Sequence, residues 1–522
     1  KINIYPEDAL VPFVSMKTGR PVKWIEDRSE NIAVTIHGRD QVDYVEMAAT
    51  RDGKVTGLKL HGISDLGAYC QLLTDAIMIA LGFPVATGAY EIPNVHLSAD
   101  IVFTNKAPTD AYRGAGRPEA TFIIERMMDL TARELGMDPA EIRRRNFLKP
   151  DQFPYKSPAG AVYDSGNYEP ALDKALSLVG YQELRAEQAR RRAAGNGKLM
   201  GIGISSYIEA CGIGPKGGLP VGLFESARVR IDAGGTVAVY TGASPHGQGE
   251  ETTFSQIVAD EFGIPMENIL IIHGDTDSTP EGRGTYGSRT TAVGGSALFV
   301  AVQRLKEKMK TIAAHLLEAS VSDVQFEDGK FSVAGSPQKS VSFTDVAQAA
   351  NFSNTLHPSI EPGLETTAFW EPEGNTFPFG THVCVVEVDK DTGAAEITRL
   401  VAVDDCGRQL NPMLVEGQVH GGLAQGIGQA MTEQVIYGDD GQLLTATFMD
   451  YAMPLAPELP HYETDSTVTL TPINPLGVKG VGEAGTIGST PAVANAMADA
   501  LGVANVDMPF TSEKLWKIIH QH

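Results

Sequence analysis

Cysteine is scarce in this sequence: 522 residues hold four, Cys70, Cys211, Cys384 and Cys406. None forms a CxxC pair or a ferredoxin-like spacing, which argues against an iron–sulfur cluster or a Cys-rich zinc site on this chain. Nor does a chain of this length need a disulfide framework, so a reducing, cytoplasmic setting is the expectation. Positive charge is also in deficit. Lys+Arg total 42 against 65 Asp+Glu, a formal net charge of −23. Nucleic acid, which needs basic surface, is therefore not an expected partner. No uncharged apolar run reaches the ~18 residues of a membrane span. The opening KINIYPEDALVPFVSMKTG is interrupted by charges and does not read as a signal peptide. Paired histidines are missing too. His246, His382 and His420 are scattered with no HExxH, so a metal held by protein ligands is not expected. There is no P-loop and no dinucleotide fingerprint in a clean βαβ setting.

What is present is enough apolar material, 42% of residues, to build large cores, and two or more domains are expected. Val42 to Thr50 and Val55 to Ile63 flank Asp52-Gly53 and read as a hairpin. Pro118 to Leu135 reads as a helix stopped before Gly136, and Asp138 to Phe147 as a short basic helix. Residues 151–200 read as a connector holding Arg190-Arg191-Arg192, a solvated helix face, and the turn Gly195-Asn196-Gly197. Beyond it, strands are predicted over Ser226–Asp232, Thr236–Tyr240, His382–Val388 and Ala395–Val403. Helices are predicted over Glu251–Phe262, Gly295–Ala319, Val415–Ile436 and Pro491–Leu501. Strands and helices do not alternate strictly, so the fold class is α+β, in two large parts, residues 1–190 and 200–522.

One unit recurs: a Gly-rich loop running into a helix. It occurs at RGAGRPEATF from Arg113, HGQGEETTF from His246, GTYGSRTTAVGGSA from Gly284 and KGVGEAGTIGSTPAV from Lys479. A helix start exposes unpaired N–H groups and a partial positive charge, and glycine lets backbone approach an anion. Four such loops suggest one large anionic ligand wrapped by both parts of the chain. Arg113 would come from the first part, and Gln248, Ser288 and Glu483 from the second. Glu483, flanked by small residues, suits a general base whose pKa burial would raise; a turn or N-cap glutamate is the alternative. Arg113 could stabilise developing charge or form a surface ion pair. Gln248 could bond a ligand oxygen or simply serve its turn.

At these motifs the chain resembles the molybdenum hydroxylases of the xanthine oxidase type, over almost its whole length. The motifs are AYRGAGRPEA from Ala111, HGQGEETTFSQIVADEFGIP, GTYGSRTTAVGG, DDCGRQLNPMLVEGQVHGGLAQGIGQA from Asp404 and PLGVKGVGEAG from Pro475. Within that family their wording is most similar to carbon monoxide dehydrogenase large subunits. The resemblance implies two mixed domains with a molybdopterin cytosine dinucleotide between them, its molybdenum free of protein ligands. Glu483 would take the proton of the attacking molybdenum-bound oxygen, Gln248 would bond the apical oxo group, and Arg113 would orient substrate. Gly247, Gly249, Ser288, Arg289, Thr290, Thr291 and Ala292 would hold pterin and phosphates. Gly114, Ala115, Cys406, Gln418, Lys479 and Val481 would line the cofactor. Electrons would leave through a small 2Fe–2S subunit and a medium FAD subunit, in a dimer of heterotrimers. Two departures stand out. The family's Gly-Gly-Phe-Gly-type loop lies ahead of the Lys that Lys1 resembles, so one wall of the site is expected from outside this sequence. Gly114 stands where carbon monoxide dehydrogenases carry a copper-binding cysteine, so the expected reaction is hydroxylation of an aldehyde or aza-aromatic carbon with water as oxygen source. The alternatives are carbon monoxide oxidation, which would need a thiol such as Cys70 or Cys211, and a non-catalytic cofactor-binding paralogue.

Overall fold

The computed structural model describes residues 4–195, 197–213, 223–352, 354 and 356–521; Lys1 and Asn196 lie outside them. The predicted hairpin forms: Gln41–Ala49 and Val55–Asp65 pair antiparallel, with Val42 opposite Ile63. Val95–Val102 joins the second strand in parallel.

Five helices position the site: α1 (Arg117–Leu135), α2 (Glu250–Phe262), α3 (Ser296–Leu316), α4 (Pro412–Met431) and α5 (Ala484–Leu501). α1 ends at Gly136 in the left-handed conformation, as its sequence predicts. The short helix Pro139–Asn146 is capped by Asp138. α5 begins well before Pro491, which lies inside it. The expectation that Pro491 opens the helix is thus corrected: burial along nearly its whole length holds the helix through the proline. α4 stops at Met431, short of the predicted Ile436.

A four-stranded sheet runs in the order Tyr462–Ser466, Ala395–Asp405, Phe379–Val388, Leu199–Ile208. Alternation along its strands supplies two apolar faces. Ile202, Ile204, Val383, Val385 and Val401 point into one core with Ile124 and Met128 of α1. Cys384, Val386, Leu400 and Ala402 point the other way, against Val419 and Leu423 of α4 and Ala492 and Ala496 of α5. A second sheet, Leu364–Trp370, Glu225–Ile231, Val237–Thr241, Ile269–Ile272, packs on α2 and α3 through Phe254, Val258, Leu298 and Val302. The mixed, largely antiparallel pairing makes the fold α+β.

Residues 151–200 are no mere connector. Tyr163 and Tyr168 are buried, and the helix Tyr168–Val179 adds Leu172 and Val179 to the first core. Those apolar positions follow helical spacing, a signal masked by the surrounding Pro, Gly and Tyr. The Arg run is tied down by Glu187, Glu387 and Asp499.

Candidate functional site

Glu483 is the residue before α5. It occupies the N-cap position but makes no capping bond with its side chain. The carboxylate reaches across to the first half of the chain instead. Oε1 accepts the Gly114 N–H at 2.9 Å. Oε2 accepts from Arg117 Nη2 at 2.8 Å and from Ser288 Oγ at 3.0 Å. Three loops remote in sequence therefore meet at one carboxylate. Their backbones are in close contact: a Cβ on Gly480 would sit 2.0 Å from the Ser288 carbonyl oxygen. Ala115 and Ser288 both take positive φ, 37° and 52°, which non-glycine residues seldom adopt and which clusters at functional sites.

Burial works to raise the Glu483 pKa, but the Arg117 charge, the Gly114 N–H and the Ser288 hydroxyl outweigh it, and the carboxyl is held below the ordinary glutamate value. The expected upward shift is corrected on this point. Glu483 is an ionised acceptor, its side chain 15% exposed, beside an Arg117 side chain only 2% exposed.

Two further residues, Arg117 and Glu209, belong to the site beyond those the sequence motifs single out. Arg117 lies within RGAGR, four residues beyond Arg113 and at the first position of α1. Glu209 follows the strand Leu199–Ile208 and has no sequence signal. It is wholly buried, and among the described residues neither carboxyl oxygen accepts a hydrogen bond of ordinary geometry. Burial first, then the Glu483 charge, push its carboxyl well above the ordinary value.

The remaining sequence candidates divide. Arg113 touches the site as a brace: Nε donates to Gly482 O at 2.5 Å, Nη1 to Gln425 Oε1 at 2.9 Å, and Nη2 to Gln418 O at 3.1 Å. Gln418 Oε1 also accepts from Arg113, at 3.4 Å. Gln248 is folded on its own loop. Its Oε1 accepts the His246 N–H at 2.6 Å, and its Nε2 donates to Ser244 O at 3.1 Å. A 3.4 Å contact with Thr285 Oγ1 links it to the loop of Ser288. Thr290 Oγ1 donates to that same Thr285 hydroxyl at 2.9 Å. Thr290, Thr291 and Ala292 open a π-helical turn, Thr290–Gly295, that leads into α3. Arg289 is fully buried and spent internally on Glu225, Gly284 O and Leu223 O. Lys479 turns inward, Nζ to Phe377 O at 3.0 Å, while its N–H goes to Cys406 O at 2.7 Å. Cys406 is buried and its thiol pushed up to about 12 by burial. Val481 packs with Tyr207, Ala484 and Ile487.

The helix starts of the four motif loops, at Arg117, Glu250, Thr290 and Ala484, have no side-chain cap. By contrast Asp27, Asp138, Ser342 and Asn411 cap the helices that follow them. Gly247 has φ 82° and open space where a Cβ would be. Main-chain N–H groups without a side-chain acceptor, set among small residues, fit a large anionic group. A cavity of about 840 Å³ lies elsewhere, lined by Arg39, Tyr112, Gln429, Glu433 and Tyr451 among others, and by none of Arg113, Gln248 or Glu483.

This fold and this cradle of glycine loops are those of a molybdopterin cofactor-binding protein. Models of the molybdopterin cofactor-binding domain match residues 1–147 and 174–460. The chain belongs to the molybdopterin-binding large subunits of the molybdenum hydroxylase family. It is 44% identical to the carbon monoxide dehydrogenase large chain of Hydrogenophaga pseudoflava, over 100% of this chain and 66% of that one. It is 37% identical to the nicotine 6-hydroxylase large subunit of Paenarthrobacter nicotinovorans, over 99% of this chain and 64% of that one. The solved quinoline 2-oxidoreductase of Pseudomonas putida 86 superposes with a TM-score of 0.95 at 38% identity, over 100% of this chain and 67% of that one. The chain thus spans about two thirds of the length of these relatives.

Proposed function

We propose that this chain carries the substrate-oxidising site of a molybdenum hydroxylase that adds water-derived oxygen to an electron-poor carbon of an aldehyde or aza-aromatic ring. One observation supports this above the others: an ionised glutamate, Glu483, held by Arg117, Ser288 and the Gly114 N–H among the glycine loops. Molybdopterin, in its cytosine dinucleotide form, would supply the two-electron redox chemistry when bound. The metal would be carried by the cofactor. Gly247, Gln248, Gly249 and the run from Ser288 to Ala292 would bind it through backbone N–H groups. Glu483 accepts the proton released as the water-derived oxygen attacks the substrate carbon. Arg117 keeps that carboxylate charged between turnovers, and Arg113 fixes its turn through Gly482. Arg289, committed to Glu225, shapes its loop and brings no free charge. A 2Fe–2S subunit and an FAD subunit take the electrons, in a cytoplasmic dimer of heterotrimers.

Carbon monoxide oxidation is the second reading. Identity favours it, since the relative named carbon monoxide dehydrogenase matches at 44% against 37% and 38% for those named for nicotine and quinoline. What weighs against it is Gly114. Its φ is 102°, and a Cβ there would lie 2.3 Å from Pro118 Cγ, so this loop suits glycine and offers no thiol. Cys211 is buried, its sulfur accepting the Gly480 N–H at 3.1 Å and meeting Thr376. The deciding experiment is metal and cytosine analysis of the full-length complex, followed by dye-linked turnover with carbon monoxide, aldehydes and aza-aromatics. Stoichiometric copper with carbon monoxide turnover would replace the first reading by the second.

A further inference from the structure

We propose that Glu209 is a positioning residue for Glu483: it keeps a proton and donates it as a hydrogen bond to the Glu483 carboxylate. The inference rests on Glu483 being the base. Glu209 is completely buried, and among the described residues neither of its oxygens accepts a hydrogen bond of ordinary geometry. The groups within its reach are the Glu483 carboxylate and the Ser288 hydroxyl, and that hydroxyl is already given to Glu483 at 3.0 Å.

Of two facing anions in a buried site, the one without a donor has no hydrogen bond to offset its lost hydration and the repulsion of the other. A single proton between them removes the repulsion and makes a charge-assisted O–H···O bond. Its owner follows from the partners. Glu483 has Arg117, Ser288 and the Gly114 N–H to stabilise its charge. The other titratable and charged groups that face Glu209 are Arg117, Arg113, Tyr207 and Cys211. Arg117 is bonded to Glu483, Arg113 to Gly482 and Gln425, Tyr207 to Asp404, and the Cys211 thiol to Thr376. None of them takes the place of the proton. Glu209 keeps its O–H bond throughout, while Glu483 alone gains and loses a proton.

The test uses the full-length, cofactor-loaded protein. Near neutral pH, infrared spectra should show a carboxylic acid C=O band that is lost in Glu209→Gln and kept in Glu483→Gln. The acid limb of turnover should stay within about half a pH unit in Glu209→Gln, whose amide N–H replaces the donor. It should move up by about one unit or more in Glu209→Leu, which has none. An ionised Glu209 would overturn the proposal: the acid band would be missing, and Glu209→Gln would move the acid limb downward by removing a negative charge. If the leucine variant does not fold, the band and the glutamine variant still decide. Normal turnover in Glu483→Gln would end the base assignment, while the band would still report the proton on Glu209.

Discussion

Helix α1 carries two arginine–glutamate pairs that look alike and differ in completion. Toward its middle, Glu125 pairs with Arg143, both side chains at 0% exposure and 2.8 Å apart. Glu125 also accepts from Tyr90 and from the Ser206 N–H, and Arg143 also reaches Asp129, Pro139 O and Ile204 O. Every polar atom of both side chains has a partner. At the helix start, Arg117 pairs with Glu483 across 2.8 Å, but among the described residues the buried Arg117 Nε has no acceptor and Glu209 alongside accepts no hydrogen bond of ordinary geometry. Buried polar groups in folded proteins are nearly always satisfied, and exceptions mark places with another purpose. The saturated pair joins α1 to the sheet strand Leu199–Ile208; the unsaturated one surrounds the carboxylate we propose as the base.

The comparison can be broken most forcefully at the saturated pair. Arg143→Ala should cost about 3–5 kcal/mol, because it leaves the buried Glu125 without its cationic partner. Urea unfolding measures this, and a loss under about 1 kcal/mol would mean that the pair is not what joins helix to sheet. At the other pair the damage should appear in rate. Glu483→Gln should keep fold and cofactor and lower turnover by at least ~10²-fold; near-normal turnover would remove Glu483 as base. Arg117→Met should raise the Glu483 pKa and carry the acid limb of the rate profile upward by about 1–3 pH units, the usual effect of a neighbouring arginine on a carboxylate. An unmoved limb would give the charge stabilisation to another group.

A smaller effect sharpens the contrast through stability. The folded Glu483 pKa lies below the ordinary 4.5. A depressed carboxylate contributes stability that is fully present above the unfolded value and lost as pH falls through the folded one. Wild type should therefore lose stability faster than Glu483→Gln as the pH drops below about 4.5. Parallel unfolding curves for the two proteins in that range would contradict the sign of the shift.

Much of this protein follows from the sequence alone, because the relevant signals are local. The hairpin around Asp52-Gly53, the Gly136 stop of α1, the Asp138 cap and four glycine loops each depend on a few neighbouring residues. The position of Glu483 among those loops was legible for the same reason. Tertiary structure alone decided which arginine serves that glutamate. Arg117 is 366 residues away in the chain, yet it, and not Arg113, is paired with Glu483. Glu209 was invisible because a strand-end glutamate has no local mark of burial beside a second carboxyl. The direction of the Glu483 shift was equally out of reach of sequence, since a pKa is a contest between desolvation and partners. Desolvation can be guessed from small neighbours, whereas the partners arrive only when remote loops are folded together.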